Sequence, residues 1–178
     1  MRSAPRLVCL LGAECTGKTT LARQLAENLG GVWVPEVLRT FCDARGRTPR
    51  KYEQRTILRQ QHAAALQAAQ DMASGGWVFC DTAPLQTAVY SELVFGDTSL
   101  YPEAIGLHAN YAATLLLDAD LGWMPDGLQR DGAHVQLPVT RMLERTVQRQ
   151  PGPWRRVAGS GSERLRQALA ALSEMLQI

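Results

Sequence analysis

The stretch Gly12-Ala13-Glu14-Cys15-Thr16-Gly17-Lys18-Thr19 reads G-x-x-x-x-G-K-T, and its reading decides the fold. The apolar run RLVCLL, residues 6–11, precedes it with strand character, and TLARQLAENLG follows with helical spacing. A glycine-bounded loop between a strand and a helix turns successive backbone N–H groups inward, and the new helix adds the partial positive charge of its N-terminus. That cradle suits the phosphates of a nucleotide. The spacing assigns backbone contacts to Gly12, Ala13, Glu14, Cys15, Thr16, Gly17 and Thr20, while Lys18 is expected at the β- and γ-phosphates and the Thr19 hydroxyl on Mg2+.

Working outward, strands are expected near 6–11, 32–35, 77–81, 113–118 and 154–158, each short, apolar and bounded by turn residues. Helices are expected near 18–29, 36–45, 50–74, 83–95, 101–110, 136–150 and 162–177; KYEQRTILRQQHAAALQAAQDMAS is the clearest. This alternation predicts an α/β fold, a parallel sheet covered by helices on both faces, with its site beyond the carboxyl ends of the strands. At 178 residues, one domain spanning 1–178 is expected, with a substrate loop at about 121–134.

Composition narrows the class. The chain is 46% hydrophobic and 20% charged, and no apolar run approaches the roughly 20 residues of a membrane helix. The start resembles a signal peptide, but its apolar run stops at Leu11 and Glu14 precedes Cys15, so no targeting segment is expected and the address is read as cytoplasmic. Cys9, Cys15, Cys42 and Cys80 form no C-x-x-C pair and read as reduced thiols. A net charge of +2 does not call for nucleic acid, although all basic residues except Lys18 and Lys51 are arginines, suited to bidentate phosphate contacts.

Asp81 is followed by Thr82, not by a second acid that would polarise water, and the fourth strand leads into no N-K-x-D. A hydrolytic motor and a guanine-reading switch are therefore disfavoured, leaving a kinase that passes a phosphoryl group to a bound hydroxyl. Glu36 ends the second strand and Asp81 the third, so both carboxylates face the cleft. One can take the acceptor's proton while the other holds Mg2+ or ribose hydroxyls, Asp81 being the first choice for the base and Glu36 the second. The plainer reading of each is an acid at a helix N-terminus. Arg39 stands one turn after Glu36, where an ion pair competes with substrate contact.

Arg141, Arg145 and Arg149 recur every four residues; the row reads as a solvated basic face or as a lid over phosphates. Ser160 and Glu163 carry S-x-x-E, a capping box for the last helix, in a loop also placed to touch an adenine. His62, His108 and His134 have no metal-ligand spacing, and Trp33, Trp77 and Trp154 at strand starts read as packing.

Four segments, GAECTGKTTLA, VPEVLRTF, VFCDTAPLQTAVYSELVFG and ATLLLDADLGWMPDGLQRDG, stand in order from about Arg6 to the last helix. Together they resemble the nicotinamide riboside kinase domain of NadR-type proteins, including stand-alone members labelled AAA family ATPases. The resemblance implies a P-loop, nucleoside-kinase-like five-stranded parallel sheet, Mg-ATP as donor, and conversion of nicotinamide riboside to the mononucleotide in NAD salvage. It assigns the acceptor side to Glu36 and Arg39, to Asp81 and Thr82, and to Trp123, Asp126, Gly127 and Arg130. An indole face from Trp123 suits a cationic aromatic ring, Asp126 suits the carboxamide or ribose, and Arg130 the transferring phosphoryl. The chain departs from the family at Val37, where an aromatic is common, and at Ala83, where an acid is common. Two alternatives remain: a deoxynucleoside or nucleoside-monophosphate kinase, and a nucleotide-responsive binding protein with little catalysis. The partner in each case is a small molecule, with neither nucleic acid nor membrane expected. The DNA-binding and adenylyltransferase activities of larger NadR proteins are not expected here.

Overall fold

A computed structural model describes residues 4–72, 75–124 and 132–177. The strands are β1 (Arg6–Leu11), β2 (Val32–Val34), β3 (Trp77–Asp81), β4 (Ala113–Leu117) and β5 (Trp154–Val157). The helices are α1 (Lys18–Leu29), α2 (Val37–Arg45), α3 (Gln54–Asp71), α4 (Pro84–Phe95), α5 (Tyr101–His108), α6 (Ala133–Val147) and α7 (Gly161–Leu176). All pairings are parallel, in the order β2-β3-β1-β4-β5.

Strand alternation divides the core. Leu7, Cys9 and Leu11 face α3, α4 and α6 together with Val78 and Cys80, while Val8 and Leu10 face α1 and α7 together with Phe79 and Leu115. The three central strands β1, β3 and β4 are buried on both faces, as a sheet between two helical layers requires, while the edge strands β2 and β5 are partly exposed. The same period of two turns Asp81, in register with Leu10, toward the α1 side with Trp77 and Phe79.

The sequence placed each element within a few residues. The long helix expected at 50–74 opens instead as a 3-10 turn, Lys51–Glu53. There the Glu53 carboxylate accepts Arg50 N–H at 2.8 Å and pairs with Arg47 at 2.7 Å, which favours the tighter turn. Helix α6 begins at Ala133 rather than 136, despite Pro138 within it, and residues 148–150 close as shorter turns. The capping box expected at Ser160 is not formed. Ser160 makes no side-chain cap, and Glu163 is drawn to Arg166 at 2.7 Å and Gln167 at 2.9 Å. A bidentate guanidinium outcompetes a lone backbone N–H for that carboxylate.

Under the α5 side of the sheet, His108 Nε2 lies 3.0 Å from Thr114 Oγ1, and the ring stacks on Tyr111 with centroids 5.5 Å apart. Burial pushes the His108 pKa down from 6.5 to about 4. Between those values the unfolded chain binds the proton that the folded chain refuses, so stability is complete above about 6.5 and falls as pH drops toward 4. The whole loss is roughly 3 kcal/mol. Thermal unfolding followed by circular dichroism should give a steeper loss of Tm over this window for wild type than for His108→Asn. Identical slopes would mean that His108 is not the titrating group.

Candidate active site

The phosphate loop is held in a tight curl. Gly17 has φ +79° and Cys15 has φ +59°, and a Cβ on Gly12 would stand 2.7 Å from Thr16 Oγ1 and 3.1 Å from the Leu117 carbonyl. Only glycine fits at position 12, and only glycine adopts the turn at 17 without strain. Thr16 Oγ1 donates to Ala13 O at 2.8 Å, and Lys18 Nζ donates to Gly12 O and Ala13 O at 2.9 and 2.8 Å, placing its ammonium at the loop.

Thr19 Oγ1 donates to Asp81 Oδ2 at 2.5 Å. The contact follows from the fold: Thr19 lies in the first turn of α1, and Asp81 ends β3 on the face that α1 covers. One hydroxyl and one carboxylate at a single point match Mg2+, which binds through one or two protein oxygens, water and substrate phosphates. Thr82 follows with φ +79°, a costly conformation for a β-branched residue, and its buried hydroxyl has no hydrogen-bond partner among the described residues. Its N–H is tied to Leu10 O at 3.1 Å, which keeps this corner fixed.

A cavity of about 560 Å3 joins these groups. Glu14 to Thr20 form one wall; Glu36 and Arg39 at the start of α2, Asp81 ending β3 with Thr82 after it, and Gln86, Thr87 and Tyr90 from α4 line others. The phosphate loop thus meets Asp81, which ends β3, and Glu36, which lies not at the end of β2 but two residues beyond it as the N-cap of α2. Gly12 and Ala13 lie beneath, their carbonyls facing the Lys18 ammonium.

Other expectations separate from this site. Among the described residues, Trp123 does not line the cavity, although Leu121, Gly122 and Met124 do, and its buried indole Nε1 has no partner among them. The bonded loop order explains the difference, since Cys15 Sγ–H donates to Met124 O at 2.8 Å and so brings Met124, not Trp123, against the phosphate loop. Asp126, Gly127 and Arg130 lie outside the described residues. Among the described residues, Arg141, Arg145, Arg149 and residues 159–163 line no part of this cavity.

Three side chains that support the loop escaped the sequence reading. Gln86 Oε1 accepts the Gly12 N–H at 3.1 Å, and Gln136 Nε2 donates to Glu14 O at 2.8 Å. Arg164, 4% exposed, donates to Thr16 O at 2.5 Å, to Gly159 O at 2.7 Å and to Asp120. The one local hint was a cation in the first turn of α7, where the helix dipole disfavours it.

This sheet order, with G-x-x-x-x-G-K-T after its first strand and an acid ending the neighbouring strand, defines a P-loop protein of the nucleoside- and nucleotide-kinase fold. A family model described as an AAA domain matches residues 7–164, and the chain belongs to that family. Among solved structures, it is similar to NadR protein in complex with NAD and AMP-PNP, with TM-score 0.79 and 20% identity over 98% of this chain and 50% of that one. NadR protein in complex with NR gives TM-score 0.75 and 20% identity over 98% and 52% of the two chains. The chain thus spans about half the length of these NadR proteins. Deoxyadenosine kinase from M. mycoides with bound products gives TM-score 0.66 and 12% identity over 94% and 99%. No curated protein sequence matches the chain. Among the described residues, no helix is long and apolar enough to cross a membrane.

Proposed function

We propose that this chain is a cytoplasmic, ATP-dependent kinase that phosphorylates a nucleoside hydroxyl, with nicotinamide riboside as acceptor and nicotinamide mononucleotide as product. The reading rests on one observation: a single cavity takes in the phosphate loop and the acceptor-side residues Glu36, Arg39, Asp81 and Thr82. The NadR complexes with AMP-PNP and with NR lend support from the fold.

Mg-ATP supplies the transferable phosphoryl group, and the protein supplies position and charge. Lys18 exchanges the Gly12 and Ala13 carbonyls for phosphate oxygens, while Thr19 and Asp81 would hold a Mg2+ ion that would neutralise charge on the phosphates. The acceptor oxygen bonds to the γ-phosphorus, the bond from that phosphorus to the ADP oxygen breaks, and the hydroxyl proton passes to a carboxylate. With Asp81 assigned beside Thr19 to the metal, the role of base falls to Glu36 on the acceptor wall, which reverses the order read from sequence. The buried Thr82 hydroxyl serves the substrate, and Arg39 the acceptor or its incoming phosphate.

For the cationic ring, Tyr90 lines the cavity where Trp123 does not. A stacked aromatic contributes about 0.5 to 2 kcal/mol to binding a cationic ring. Tyr90→Leu should therefore raise the acceptor KM by several-fold and leave the ATP KM unchanged, whereas Trp123→Ala should change neither by more than about twofold. The reverse pattern would return the ring contact to Trp123.

ADP release with Mg-ATP and nicotinamide riboside, each deoxynucleoside, the monophosphates or no acceptor tests the whole reading. Turnover with nicotinamide riboside above the others is expected. Turnover with monophosphates or deoxynucleosides alone would replace the acceptor, and no acceptor-dependent turnover would favour a nucleotide-responsive binding protein.

A further inference from the structure

A second cavity of about 450 Å3, bounded by α4, α5 and α6, shares no lining residue with the first. Arg145 and Arg149, one turn apart, line it, and they belong to the row that the phosphate site leaves unused. Among the described residues, neither guanidinium makes a hydrogen bond or an ion pair, whereas Arg47, Arg55, Arg155, Arg156, Arg164 and Arg166 each meet a carboxylate. Arg145 stands in the last turn of α6 and Arg149 in the tighter turn that follows it, and because both line this one cavity their two guanidiniums can grip one phosphate.

The rest of the cavity limits what that phosphate can belong to. Glu92 lines the same space, and its Oε2 accepts the Tyr101 hydroxyl at 2.5 Å. The carboxylate is thereby oriented and keeps lone pairs for further donors. A bare anion is repelled by it, while a molecule that brings hydroxyl groups is held. Ile105, 40% exposed, and Met142 add an apolar surface for the carbon skeleton. The volume lies in the range of small-molecule sites. We propose that this cavity binds a sugar phosphate, its phosphate on Arg145 and Arg149 and its hydroxyls on Glu92. The site is independent of the kinase reading, although α4, which carries Glu92, also supplies Gln86, Thr87 and Tyr90 to the first cavity.

Ribose 5-phosphate is the probe, titrated into the full chain saturated with Mg2+ and AMP-PNP and followed by the 13C-methyl resonances of Met142 and of Met124, which lines the first cavity. A saturable shift of Met142 with Met124 unmoved is expected, as is weaker binding of ribose and of inorganic phosphate. Arg145→Ala/Arg149→Ala should weaken ribose 5-phosphate at least about tenfold, because charge-assisted bonds are lost. Both arginines are exposed, so Tm and AMP-PNP affinity should stay unchanged. The proposal is overturned by no saturable Met142 shift, by a shift at Met124 instead, by a double variant within about twofold of wild type, or by equal affinity for inorganic phosphate.

Discussion

Asp81→Asn is expected to lower kcat/KM for phosphoryl transfer by about a thousandfold, equivalent to about 4 kcal/mol of transition-state stabilisation. Asn keeps the shape and still accepts the Thr19 hydroxyl, so the fold and the 2.5 Å contact survive while the negative charge proposed to hold Mg2+ is lost. Raising the Mg2+ concentration should restore part of the rate, which ADP release at two Mg2+ levels would detect. Glu36→Gln should instead lower kcat by 10²-fold or more with little change in ATP KM, as removal of a general base does. A Glu36→Gln enzyme with wild-type kcat would return the base to Asp81. An Asp81→Asn enzyme within about tenfold of wild type would remove Asp81 from the metal.

The largest effect on stability is expected at Arg164. Its guanidinium sits behind the phosphate loop and joins Thr16 O, Gly159 O and the Asp120 carboxylate, tying the phosphate loop, the segment before α7 and the segment after β4 together. Arg164→Met fills much of the space but leaves those carbonyls without their donor at a buried position. Each lost charge-assisted bond costs about 1.5 to 3 kcal/mol, and partial relaxation leaves a net loss of about 3 kcal/mol. For a chain of this size that lowers Tm by roughly 10 °C. Calorimetry would read it, and ATP KM should rise in parallel because the Thr16 carbonyl is released. An unchanged Tm would mean that water replaces the guanidinium without cost.

Arg164 also marks the boundary of what could be read in advance. The phosphate loop was legible because its chemistry is local: glycine spacing, a lysine and a threonine within eight residues dictate both conformation and ligand. The strands and helices were legible because burial on both faces of the sheet forces apolar runs, and exposed helix faces force the 3.6 period. Glu36 and Asp81 could be placed in the cleft because a parallel sheet presents its strand ends to one side. The Asp81 contact with Thr19 follows from strand parity and could have been deduced once the order of strands was known.

The sequence by itself therefore determined a P-loop in a parallel α/β fold and the placing of Asp81 and Glu36 on the side where β3 and β2 end. Only the tertiary structure decided which distant side chains complete the site. Gln86, Gln136 and Arg164 reach the loop across 74, 122 and 148 positions, and no local pattern encodes such separations. It likewise brought Met124 rather than Trp123 to the phosphate loop, and turned Arg145 and Arg149 toward a second cavity. The physical reason is common to all of them. Local propensity sets the direction of a backbone segment, whereas the partner of a side chain is set by packing among segments that the sequence does not place next to one another.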